Sequence, residues 1–104
     1  MSDRSLTLYL HPAGNTMIPC LHAIVAKGYT VTHFFLDLGS EQKRPRWAAE
    51  KNNRLFTAER LEELLGLIAM WEVRGDDWQP RESEDALFEQ LIKAGPNTPP
   101  RPRW

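Results

Sequence analysis

The chain has one cysteine, no long apolar run and no surplus of either charge, and each shortage closes off a class of function. A lone Cys20 makes no internal disulfide, so nothing points to an oxidising compartment. No apolar stretch is long enough to span a bilayer, and the opening Met1-Ser2-Asp3-Arg4 lacks the apolar core of a secretion signal. Lysine and arginine total 13 against 14 acidic residues, spread along the chain, which leaves a net charge of −1 and no basic patch for nucleic acid. These absences predict a cytoplasmic protein that engages neither nucleic acid nor membrane. At 104 residues the chain suffices for a single hydrophobic core.

What is present is organised around one helix. From Glu59 to Arg74, the residues Leu61, Leu64, Leu65 and Ile68 fall at i, i+3, i+4 and i+7, and Trp71 extends the stripe. Glu59, Glu62 and Glu63 put negative charge in the first turns, Arg74 lies at the other end, and Gly75 is the expected stop. Ahead of this helix, Ser5 to Leu10 alternates as a strand, and His11 to Asn15 is a break. Met17, Leu21, Ile24 and Val25 then form the apolar face of a helix that ends at Lys27, before Gly28. That helix has two starts open to it: Asn15 as N-cap, with Pro19 a turn inside, or Pro19 as the first helical residue.

Tyr29 to Leu38 reads as a second strand, with apolar residues on both faces that predict cover on both sides. Gly39 to Arg46 is a polar connector. Trp47 to Glu50 and Arg54 to Thr57 are short strands around a turn at Lys51-Asn52-Asn53. After a turn at Asp76 to Pro80, Ser83 caps a last helix through Lys93, with Leu87, Phe88, Leu91 and Ile92 as its apolar stripe. Residues 96–104 predict a flexible tail whose Pro96, Pro99 and Pro102 are compatible with polyproline recognition.

The order strand, helix, strand, hairpin, helix resembles the thioredoxin-like fold, in particular glutaredoxins and the N-terminal domain of glutathione transferases. Three stretches carry the resemblance: Leu6-Thr7-Leu8-Tyr9-Leu10-His11-Pro12, Ala26-Lys27-Gly28-Tyr29, and Lys51-Asn52-Asn53-Arg54-Leu55-Phe56-Thr57-Ala58-Glu59. It covers Ser5 to Gly75. It implies an α+β fold with a βαβ-ββα four-stranded mixed sheet, its first two strands parallel through a right-handed crossover. An extra C-terminal helix completes a single domain over residues 1–95. Direct pairing of the second and third strands is the competing layout. Redox members carry Cys-x-x-Cys where the first strand meets the first helix. The matching stretch here, Gly14-Asn15-Thr16-Met17, has neither cysteine, so the chain is expected to be redox-inactive.

The resemblance also implies ligand contacts at Asn15, Thr16, Pro45 and Glu59. Free backbone N–H groups beside Asn15 and Thr16 would hold a carboxylate. The Thr16 hydroxyl stands near the position where transferases activate the glutathione thiol. Pro45 precedes the third strand, where the family carries a cis-proline against a peptide-like ligand, and Glu59 matches an acidic residue that holds the ligand's amino end. Read from the residues alone, Asn15 is a helix cap and Glu59 a first-turn glutamate. Cys20 is either a reactive thiol in the first turn or a small buried hydrophobe. Glu72, close to the apolar stripe, is expected to escape to water.

His11, Cys20, His22 and His33 have no metal-ligand spacing, since Cys20 and His22 would lie about 200° apart on a helix; neither metal nor cofactor is expected. Trp71 and Trp78 are core packing or, exposed together, a binding patch. The preferred function is a non-catalytic binding or adaptor module with a protein partner. One alternative is a glutathione- or carboxylate-binding transferase-like enzyme using the first helix's N-terminus. The other is an immunity-type protein that binds a protein partner. An enzyme needs a pocket near residues 11–17, 45 and 59; a binding module needs an exposed apolar surface around Trp71, Trp78 or the final helix.

Overall fold

A computed structural model describes residues 7–37, 39 and 43–95, which group into two compact units: residues 12–77, and the described parts of 1–11 and 78–104. The tail expected at 96–104 lies outside the described residues. The larger unit runs α1 (Met17–Ala26), β1 (Thr30–Asp37), β2 (Lys43–Lys51), β3 (Arg54–Ala58) and α2 (Leu61–Arg74). The other unit holds α3 (Asp85–Lys93).

The sheet is an antiparallel meander in the order β1-β2-β3. β1 pairs with β2 from Thr30↔Glu50 to Asp37↔Lys43, and β2 pairs with β3 from Trp47↔Ala58 to Lys51↔Arg54. This corrects the four-stranded mixed βαβ-ββα sheet of the thioredoxin-like resemblance. Residues 7–10 of the expected first strand take no strand conformation, and Ser5 and Leu6 lie outside the described residues. The two strands expected to flank it pair with each other instead. Most of the difference comes from the connector, because β2 already begins at Lys43, four residues before the expected Trp47. The remaining link from Asp37 to Lys43 is short, and a short link favours antiparallel neighbours at little loop-closure cost. Asn52 and Asn53, with φ of 52° and 64°, make the tight turn between β2 and β3 as expected.

Both helices pack on one side of the sheet. Ile24, Tyr29, Ala49, Leu61, Leu64 and Ile68 form the core, with Val31, Trp47 and Phe56 against it. Because strand side chains alternate, His33 and Phe35 share the helix side with Val31, while Phe34 and Leu36 point to the other side. The core takes in Val31 but not the far half of β1: Phe34, Phe35 and Leu36 are all exposed. Among the described residues, the cover expected on both faces of this strand reaches only its first residues, on the helix side.

α2 buries the stripe read from the sequence, Leu61, Leu64 and Ile68, but it starts at Leu61 behind an extended Arg60, so Glu59 stands outside the helix. α1 starts between the two expected registers. Thr16 is its N-cap and Pro19 its third residue, still in the first turn, where a missing N–H breaks no intrahelical bond.

α1 and α2 run parallel, as their polar contacts show. Thr16 meets Glu62 at the leading ends, at 2.6 Å, and Lys27 meets Glu72 at the trailing ends, at 2.8 Å. Parallel helices bring like dipole ends together. Glu62 offsets this with negative charge beside both N-termini and Lys27 with positive charge beside both C-termini. Glu72 is exposed, as expected, though its carboxylate holds Lys27. In the other unit Glu84, not Ser83, precedes α3, and α3 buries none of its residues.

Candidate functional site

A groove of ≈ 410 Å³ lies near the expected ligand contacts, between the loop before α1 and the start of α2. Pro12 to Gly14 form one wall, Glu59 to Glu62 the other, and Met17 and Trp47 also line it. Its volume is within the range of small-molecule sites. Trp47 is fixed from β2, with the His33 ring against it at 4.5 Å between ring centres and tilted by 49°. A wider depression of ≈ 540 Å³, lined by Arg46, Thr57 and Glu63, lies on the other side of Glu59.

Of the four expected ligand residues Glu59 alone lines this groove; Thr16 bonds two of the lining residues, Ala13 and Glu62, and both Thr16 and Glu59 have a partner from the chain itself. Thr16 Oγ1 lies 2.8 Å from the Ala13 carbonyl and 2.6 Å from Glu62 Oε2, and it accepts the Ala13 N–H at 3.1 Å. A hydroxyl has one proton to give, and a carboxylate is the stronger, charge-assisted acceptor. The Thr16 bond holds the Glu62 carboxyl below its usual range, which keeps it ionised. Glu62 thus sets a carboxylate against the Thr16 side chain at the start of α1.

Glu59 is held by Arg46 at 3.1 Å and stands 4.0 Å from Arg44. Asn15 is exposed, and no side-chain bond caps α1. Pro45 sits within β2 opposite Phe35, and the described residues contain no cis peptide bond. Neither Asn15 nor Pro45 lines the groove.

The half-buried Cys20 packs against the core, and burial followed by the Glu62 carboxylate pushes its thiol pKa up. It is held as a thiol rather than a nucleophilic thiolate. Among the described residues no three of His, Cys, Asp and Glu gather as a metal site, and no helix is long and apolar enough to cross a membrane.

Trp71 and Trp78 belong to different units. Trp71 is half-buried at the end of α2, where its ring meets Phe56 at 5.8 Å and its indole N–H donates to Asp76 at 2.8 Å. Arg54 also grips Asp76, with Nε on one oxygen at 2.8 Å and a terminal nitrogen on the other at 2.6 Å. The Arg54 guanidinium lies 5.0 Å from the Trp71 ring centre. Trp78 is exposed and belongs to the other unit.

No family model matches the chain, and neither a curated protein nor a solved structure matches it. The geometry carries the functional reading alone. Sequence patterns missed Glu62, Arg46 and the Arg54–Asp76 pair, because each acts on a residue distant along the chain and local spacing holds no trace of it. The exposed half of β1 was missed for a different reason. Phe34, Phe35 and Leu36 look like core to any apolar count.

Proposed function

We propose that the chain is a non-catalytic protein-binding module that lays α3 into an apolar groove of a partner protein. One observation supports this most: Leu87, Phe88, Leu91 and Ile92 are 63–68% exposed along one side of α3. Full burial of each such side chain would gain about 1.5–3 kcal/mol, and this chain leaves all four outside its core. Residues at i, i+1, i+4 and i+5 on a short helix are the pattern that amphipathic helices present to a hydrophobic groove. Asp85, Glu89 and Lys93 hold the polar side in water. An immunity-type role would be one case of this reading.

The groove beside α1 supports a non-catalytic reading over a transferase-like one. A carboxylate ligand there would have to displace Glu62 from Thr16, and a ligand amine would have to displace Arg46 from Glu59. Reduced glutathione at millimolar concentration is therefore expected to leave the backbone amides of Thr16, Glu59 and the neighbours of Pro45 unshifted. Saturable shifts at those amides would restore the enzyme reading.

The binding reading is tested by a photo-crosslinking residue at position 88, compared with one at position 89 on the polar side. The expected outcome is a defined partner captured from position 88, not from 89, and lost on Leu91→Asp. That variant should keep its stability within about 0.5 kcal/mol of the parent, as surface changes do. A cost of about 2–5 kcal/mol would instead mark the stripe as core of the free protein and overturn the proposal.

A further inference from the structure

Edge strands normally carry devices that stop them pairing with other chains: inward charges, lysine, proline, bulges or very short length. β1 has none of these. It pairs with β2 in unbroken register over eight residues, its other edge has no strand partner among the described residues, and its one formal charge is Asp37 at the end. Phe34, Phe35 and Leu36 stand exposed in a row, Phe35 at 58%.

We propose that β1 pairs antiparallel with β1 of a second copy of this chain, centred on His33, so that two three-stranded sheets become one. A two-fold axis normal to the sheet keeps side chains on their own faces only if paired residues have the same parity. Centring on His33 satisfies this and sets Phe34 across from Thr32, Phe35 from Val31 and Leu36 from Thr30 of the second copy. Each pair joins an aromatic or apolar side chain to a β-branched one, a favourable cross-strand combination. The aromatic half of the strand covers the β-branched half of its mate.

The charges agree with the same register. Asp37 falls opposite Tyr29 of the second copy, on the helix side of the sheet. Within each chain Lys51 Nζ, which donates to the Lys27 carbonyl at 2.6 Å, stands 5.4 Å over the Tyr29 ring, so each arriving carboxylate comes in beside a lysine. Moving the centre to Phe34 would instead press Asp37 against Val31. The proposal is independent of the α3 reading, since it uses a different surface.

Sedimentation and light scattering on the full chain should give a species of twice the 12.0 kDa chain mass that dissociates on dilution. Phe35→Lys, a change at an exposed site, should raise the dissociation constant at least tenfold with the circular dichroism spectrum unchanged, while Leu91→Asp leaves it alone. In a Cys20→Ala background, His33→Cys should form an intermolecular disulfide under mild oxidation and Phe35→Cys should not. A monomer at all concentrations overturns the proposal. So does a dimer that survives Phe35→Lys, or equal crosslinking at positions 33 and 35.

Discussion

Replacing Leu64 with alanine should lower the stability of the chain by about 3 kcal/mol, within the range of large-to-small core substitutions. Leu64 is fully buried, with 0% of its surface exposed, and few other large side chains share that depth. Among the described residues Ile24, Leu61 and Ile68 are the others. Small domains have about 5–15 kcal/mol in total, so this one change removes a large fraction of it. Leu67, three positions along the same helix, is 39% exposed and serves as the control. Leu67→Ala should cost roughly 1 kcal/mol or less, as expected away from the packed interior. Urea titration of both variants separates the cases, with the midpoint moving and the slope held constant. Equal midpoints for the two would mean that the α1–α2–sheet interface is not the core.

Trp71→Ala should be the next most damaging change, at about 2–3 kcal/mol, the low side of the range for aromatic truncation because the ring is half-buried. Its ring fills the space between Phe56 and Arg54, and its N–H holds Asp76. Trp71→Phe keeps a ring there and loses the hydrogen bond, so it should cost about 1 kcal/mol. The same cluster sets a response to acid. The Arg54 hydrogen bonds, then the Trp71 bond, lower the Asp76 pKa from 3.8 to about 2. A folded-state value below the unfolded one means that stability from this group is fully present above about pH 4. It is lost as pH falls toward 2. Thermal unfolding at pH 7, 4 and 2 should show this loss in the parent and a smaller one in Asp76→Asn. Parallel curves for the two would remove Asp76 from the account.

What the sequence revealed and what it concealed divide along the range of the interactions. The stripe of Leu61, Leu64 and Ile68, the stop at Gly75 and the Asn52-Asn53 turn are set by neighbours a few residues away, and all are where the pattern placed them. Strand pairing is set by partners, and there the reading failed. Pro45 and the charges of Lys43, Arg44 and Arg46 looked like a connector, yet they lie in β2. Thr16 and Glu59 each meet a side chain of the chain itself. The residues that occupy them, Glu62 and Arg46, were not legible, because a glutamate in a first helical turn already has a sufficient local reason to be there. Trp71, read as core packing or as part of a binding patch, packs on Phe56 and holds Arg54 and Asp76.

The antiparallel meander also shapes the route by which the larger unit is built. A mixed sheet with a parallel crossover must assemble strands that are far apart along the chain before any pairing stabilises them. Here β1, β2 and β3 pair with their sequence neighbours, and α2 follows directly on β3. Only α1 must find a distant mate, through contacts 46 residues apart at Thr16–Glu62 and 45 apart at Lys27–Glu72. Contact order is therefore concentrated in one docking event. The strands and α2 can form as a local nucleus, and the arrival of α1 closes the core over Ile24.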